Sequence, residues 1–225
     1  MEKLELDKKL IIFDLDGTLI NSIDQIYDAV CFVRNKNGYK YASKEYISLR
    51  IGLSAEELFF DLELNDKEIE EAVKTLRKFI YLHTLSKLDL FPYVIELLNL
   101  LILNGHLLAI ATNKPSELAE KALLDCGIRD KFMPVTGGDQ LPIKPNGAIL
   151  KSCLEFHNIA PTSARMIGDR VEDMLAANAA GLIPYGISQG THTKNQLFES
   201  GAKKVFSNIE ELYRLIERGW SFEDL

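Results

Sequence analysis

Little cysteine, no long apolar run and no surplus of positive charge mark this chain, and each shortage excludes something. Cys31, Cys126 and Cys153 are the only cysteines in 225 residues, and they form no C-x-x-C pair. An odd, widely spaced set argues against a disulfide framework or a thiolate metal site, and free, mostly buried thiols in a reducing compartment are expected. The greasiest segment, VIELLNLLIL, is broken by Glu96 and Asn99 and is well short of the roughly 20 residues that span a bilayer. MEKLELDKKL at the N-terminus is charged and lacks the apolar stretch of a signal peptide, so a cytoplasmic location is expected. Lysine and arginine number 26 against 33 acids, a formal net charge of -7. That balance repels nucleic acid and anionic membranes, and neither is an expected partner. His83, His106, His157 and His192 show no clustering and receive no role.

What is present is the composition of a soluble globular protein. A hydrophobic fraction of 47% argues against disorder, and 225 residues suffice for one large domain or one domain carrying an insertion. Residues 10–15 (LIIFDL) form a continuous apolar run, which reads as a central parallel strand, buried on both faces. From about residue 22 to 88 the spacing of apolar residues is helical throughout, with Ser or Asp at plausible N-caps. Beyond residue 91 helices and strands alternate. Strands are expected at HLLAIAT, FMPVTG, ARMIG, LIPYGIS and KKVFS. Helices are expected between and after them. That alternation implies an α/β fold, a doubly wound parallel sheet with a Rossmann-like core. The helical block is an insertion: residues 1–19 and 89–225 form the core, residues 20–88 an all-helical cap domain.

In such sheets ligands bind outside the carboxyl ends of the strands. Asp14 and Asp16 follow the first strand, with Gly17 and Thr18 behind them. Thr112 and Asn113 follow the second, Lys144 and Pro145 the loop after the third, and Asp169 and Asp173 the fourth. Two carboxylates held two residues apart repel each other unless a cation lies between them or one takes a proton. A hard divalent cation suits oxygen ligands such as Asp14 and Asp169, and a protonated Asp16 suits proton transfer to a leaving alkoxide. The Thr112 hydroxyl and the neighbouring backbone amide would face a phosphate, and Lys144 would neutralise its oxygens. Asp169 and Asp173, four apart, lie on one face of the turn entering the next helix, and a bound cation would remove their repulsion. Glu172 is expected to face solvent.

Together DLDGTLINS, TNK, KP and GDRVEDMLAANAAG, in that order, resemble the haloacid dehalogenase-like hydrolase superfamily, especially its phosphoglycolate phosphatase-like branch with a helical cap. The resemblance implies a magnesium-dependent phosphatase of small phosphorylated metabolites that works through an aspartyl-phosphate. It makes Asp14 the nucleophile and a metal ligand. Asp16 becomes the general acid and base, its backbone carbonyl reaching the metal. Thr112, Asn113 and Lys144 would hold the phosphoryl group, Lys144 also orienting Asp14, and Asp169 and Asp173 would complete the Mg2+ site, Asp173 directly or through water. Arg50, before Gly52 in YISLRIGLS, resembles the cap arginine that many relatives place over the site, and such a group could grip a substrate carboxylate.

Four departures stand out. Arg170 replaces a small hydroxyl residue, Asn146-Gly147 follows Lys-Pro, FPYVIELL lacks Pro-Gly, and Asn21 replaces an aspartate. Retention of Asp16 argues against dehalogenation. A phosphomutase uses the same loops, and a pyrophosphatase or nucleotide phosphatase is a further alternative, whereas a non-catalytic module has no need of Asp14, Asp16, Lys144 and Asp169 together. The substrate is open, with phosphoglycolate as the family-level expectation, and so is the choice between monomer and homodimer.

Overall fold

A computed structural model describes residues 9–83 and 89–222. The expected domain boundary after residue 88, the end of the helix expected through TLSK and the first eight residues lie outside that range. Strand β1 (Leu10–Phe13) forms because four consecutive apolar side chains are fully buried, so both of its faces must be covered. It lies between β4 (Leu107–Ala111) and β6 (Ala164–Gly168), parallel to both, with Ile12 opposite Ala109 and Met166. Outward on one side lies β5 (Val135–Thr136), and on the other β7 (Ile183–Ile187) and β8 (Lys204–Phe206), giving the order β5-β4-β1-β6-β7-β8 in one parallel sheet. The expected strand FMPVTG is only two residues long in the ladder.

Pleating divides the core in two. Ile11 and Phe13 point to one face, where α4 (Val94–Leu103), α5 (Ser116–Asp125) and α9 (Ile209–Glu217) cover them. Leu10 and Ile12 point to the other, against α6 (Ala148–His157) and α7 (Val171–Ala180). Cys153 is buried, but Cys31 and Cys126 are only partly so, a correction to the expectation for the thiols. Burial pushes the Cys126 and Cys153 thiols up to about 11, which leaves both unreactive near neutrality. Among the described residues no helix is long and apolar enough to cross a membrane.

Between β2 (Ile20–Asn21) and β3 (Asp89–Leu90), which pair antiparallel, the described chain is helical. Helices α1 (Ile23–Lys36), α2 (Lys44–Ser48) and α3 (Asp66–His83) close a separate apolar cluster, to which α5 contributes Leu118. SAEELFF, expected as α-helix, is a 3-10 turn over Ala55–Phe59. Ser43 caps α2, and Asn65 rather than Asp66 caps α3 in a reciprocal pair with Glu68. The missing Pro-Gly before α4 has a structural counterpart: Tyr93 takes φ 66, the left-handed region that favours glycine. Its ring is held there by stacking on Tyr213 and under Arg214.

A buried arginine ties the helical block together. Arg34 on α1 donates to the Leu58 and Lys40 carbonyls and to both oxygens of Asp61. Removing the acid strands a guanidinium that is 2% exposed. Asp61→Ala is therefore expected to cost roughly 2–4 kcal/mol, read as a lowered urea midpoint at unchanged slope. A shift worth less than about 0.5 kcal/mol would show that Arg34 finds water instead.

Candidate active site

The carboxyl ends of β1 and β6, with the loop after β5 and the first turn of α7, bring Asp14, Asp169, Lys144 and Asp173 into one buried cluster. The ladder continues one step past β1, where the Asp14 N–H donates to the Ile167 carbonyl. This fixes the Asp14 side chain at the sheet edge. Gly17 then turns the chain at φ 88, and a Cβ there would lie 2.6 Å from Asp169 Oδ2. Thr18 donates to Asp169 Oδ1 at 2.9 Å, and Thr191 N–H reaches Asp169 Oδ2 at 3.4 Å.

Lys144 is the hub. Its ammonium donates to Asp14 Oδ1 at 2.6 Å, Asp173 Oδ1 at 2.6 Å and the Ala111 carbonyl at 2.9 Å. All three of its protons are used, so the lysine orients Asp14 and Asp173, and a phosphoryl oxygen gains a proton from it only by displacing one of these partners. Asp173 Oδ2 accepts the Arg170 N–H at 3.0 Å, closing the first turn of α7. Asp14 Oδ2 is buried without a hydrogen-bond partner among the described residues. Burial pushes the Asp14 carboxyl up to about 6, with Lys144 pulling it down and Asp173 and Asp16 pushing further up. Burial likewise holds Asp169 well above the usual carboxylate range, helped by the charges of Asp14 and Asp173.

Asp14, Asp169 and Asp173 each offer an oxygen within 4.8 Å of the others. An all-oxygen set with one orphaned carboxylate oxygen is what a hard divalent cation takes up. The residues therefore fit such an ion.

The remaining expected residues fall around this cluster. Thr112 is buried, its hydroxyl accepting the Lys114 N–H at 3.2 Å and keeping its own proton free to donate. The Asn113 side chain is fully engaged: its amide donates to the Gly52 and Lys144 carbonyls, and its oxygen accepts the Lys144 N–H. Only the Asn113 backbone N–H is left for a phosphate, so the side chain is a brace between β4, the Lys144 loop and the helical block. Arg50 lines a cavity of about 230 Å3 together with Asp16 and Asn113. A second cavity of about 100 Å3, lined by Asp169, Asn21 and Gln189, opens on the other flank of Asp16.

Two residues carry more than the sequence suggested. Lys114 Nζ forms a two-pronged ion pair with Asp16, at 2.9 and 2.7 Å, with 7% of the lysine side chain exposed. The only signal for it was its place as third residue of Thr-Asn-Lys, one step beyond the strand-end pair. Arg170 is buried, not a neutral departure: it donates to the Ile51 carbonyl at 2.6 Å and to Thr191 at 3.0 Å. Its Nε pairs with Glu172, which is 21% exposed and not solvent-facing as expected. Gly52, at φ 87, lies so close to Arg170 that a Cβ would meet its Cδ at 2.6 Å. Arg170 thus fastens the 49–52 loop to the segment that carries Asp169.

The fold and this cluster define a class, a doubly wound α/β hydrolase with an acid-rich, lysine-braced site at the sheet edge. Residues 11–185 match the family model for haloacid dehalogenase-like hydrolases. A phosphoglycolate phosphatase of Vibrio vulnificus (strain YJ016) is 33% identical over 219 residues, which cover 92% of this chain and 96% of that one. Among solved structures, a predicted phosphoglycolate phosphatase from Haemophilus somnus 129pt superposes with TM-score 0.84 at 26% identity, covering 93% of this chain and 98% of the other. A haloacid dehalogenase-like family hydrolase from Streptococcus pneumoniae gives TM-score 0.84 at 26% identity, covering 93% and 99%. The chain belongs to the haloacid dehalogenase-like hydrolase family, and is an enzyme of the phosphoric monoester hydrolase class.

Asp14 keeps its proton to about pH 6 in the folded chain, while the unfolded chain releases it near pH 4. Between those values the folded state binds more protons, so this group's contribution to stability is lost as pH rises through that window. In metal-free urea unfolding, Asp14→Asn should therefore gain stability relative to the unaltered chain from about pH 4 to about pH 6. A difference that stays flat with pH would contradict the raised Asp14.

Proposed function

We propose that the enzyme is a magnesium-dependent phosphatase of small phosphorylated metabolites, working through an aspartyl-phosphate on Asp14. The observation that carries the reading is the buried Asp14 carboxylate, with one oxygen clamped by Lys144, the other without a partner among the described residues, and Asp169 and Asp173 each offering an oxygen within 4.8 Å. Asp14 attacks phosphorus, the ester P–O bond breaks, and the leaving alkoxide takes a proton from Asp16, which first exchanges its ion pair with Lys114 for that proton. Water then attacks the same phosphorus, Asp16 takes its proton, and inorganic phosphate leaves as the Asp14 carboxylate is restored. The Thr112 hydroxyl and the Asn113 N–H donate to phosphoryl oxygens, and Lys144 keeps Asp14 aligned. The Asp14 and Asp169 side chains and the Asp16 backbone carbonyl would hold Mg2+, with Asp173 supporting directly or through water. Once bound, the ion supplies charge neutralisation at the phosphoryl oxygens.

Residues 20–88 serve as a cap, with residues 1–19 and 89–225 as the catalytic core. The separate apolar cluster of the helical block supports that division. So does the loop carrying Arg50, which the site contacts through Asn113 and Arg170. The curated relatives' name, phosphoglycolate phosphatase, favours phosphate release over transfer between positions of a sugar.

Asp14→Asn should lower phosphate release from a metabolite panel with Mg2+ by roughly a thousandfold or more, with an unchanged circular dichroism spectrum. Activity within tenfold of the unaltered enzyme would remove Asp14 as nucleophile.

A further inference from the structure

The cavity of about 230 Å3 between the helical block and the core is large for the leaving group that the relatives' name implies. A two-carbon acid displaces about two or three waters, roughly 60–90 Å3. One part of the wall is Asp16, Asn113 and Lys114, next to the reacting centre. Another part is aliphatic: Ile26, Leu58, Leu76, Ile80 and Leu118, from α1, the 3-10 turn, α3 and α5. A two-carbon leaving group leaves that surface against water.

The charges on the wall give the other half of the specification. Arg50, Arg77 and Lys114 stand against Asp16 and Glu56, a surplus of one cation. Lys114 is spent on Asp16. Arg50 donates to the Tyr46 carbonyl at 3.0 Å, and its guanidinium sits 3.6 Å from the Tyr46 ring centroid. Its Nε is buried with no partner among the described residues. A guanidinium placed by an aromatic ring, with Nη1 alone of its terminal nitrogens engaged among the described residues, is ready for a planar anion such as a carboxylate.

We propose that the substrate is a phosphomonoester whose leaving group joins an apolar segment of four or more carbons to a carboxylate or similar anion. The apolar segment lies along Leu58, Leu76, Ile80 and Leu118, and the anion meets Arg50. The proposal rests on the phosphatase reading and narrows its substrate. Each methylene moved from water onto that wall is worth about fourfold in transition-state binding.

The test is phosphate release from linear phosphooxy carboxylates of two, four and six carbons, with Mg2+, alongside 4-nitrophenyl phosphate. The kcat/KM should rise at least tenfold from the two-carbon to the six-carbon ester. Replacing the six-carbon carboxylate by its carboxamide should lower it at least tenfold. Leu53→Trp, which narrows the cavity from its half-buried wall position, should cut the six-to-two-carbon ratio at least fivefold. A two-carbon ester hydrolysed as well as the six-carbon one, or an amide as good as the acid, overturns the proposal. No release from any ester, 4-nitrophenyl phosphate included, overturns the phosphatase reading and the proposal with it.

Discussion

Three buried carboxylates lie around one ammonium that pairs with only two of them, and the rest of the site follows from that shortage of positive charge. Asp14, Asp169 and Asp173 are each at most 4% exposed, and Lys144 is 3% exposed. Moving ionised groups out of water is costly unless each is paired and hydrogen-bonded. Lys144 satisfies one oxygen each of Asp14 and Asp173, while Asp169 relies on Thr18 and a backbone amide. Burial first, and the like charges around them second, raise the affinity of Asp14 and Asp169 for protons. The same charge is what a divalent cation relieves. A site built only for stability would have no reason to bury a third acid.

The sheet makes this concentration possible. Parallel strands end at the same edge, so β1, β4 and β6 deliver their following residues to one place, and the loop after β5 brings Lys144 to the same edge. The braces are short-range in space and distant in sequence. Asn113 joins the Lys144 loop to Gly52, and Arg170 joins the turn after Asp169 to Ile51. Both fasten the 49–52 loop, so a shift of the helical block is transmitted to groups beside Asp14. A glycine at position 52 follows from this packing, since a side chain there would collide with Arg170.

Much of this was legible because the strongest signals are local. LIIF could only be a strand buried on both faces, and the acids after it, like Asp169, fell at strand ends by counting alone, with Asp173 four residues on in the first turn of α7. Pairings across the chain were not legible. Lys114 reads as a surface lysine until the fold sets Asp16, 98 residues away, against it. Arg170 reads as a loss of a small hydroxyl until Ile51, 119 residues away, is seen to accept its proton. The backbone amide beside Thr112 was expected to face phosphate, but nothing in the spacing showed that the Asn113 side chain is taken up by the backbone groups of Gly52 and Lys144. Short or irregular elements were also poorly marked: FMPVTG yields two ladder residues, and SAEELFF has helical spacing yet forms a 3-10 turn.

The central claim is that the surplus of buried negative charge exists to hold a divalent cation. Isothermal titration of Mg2+ into the metal-free protein near pH 7.5 measures it directly. The account predicts one ion per chain, with affinity at least tenfold weaker in Asp169→Asn. No binding by the unaltered chain, or equal affinity in the variant, would contradict it.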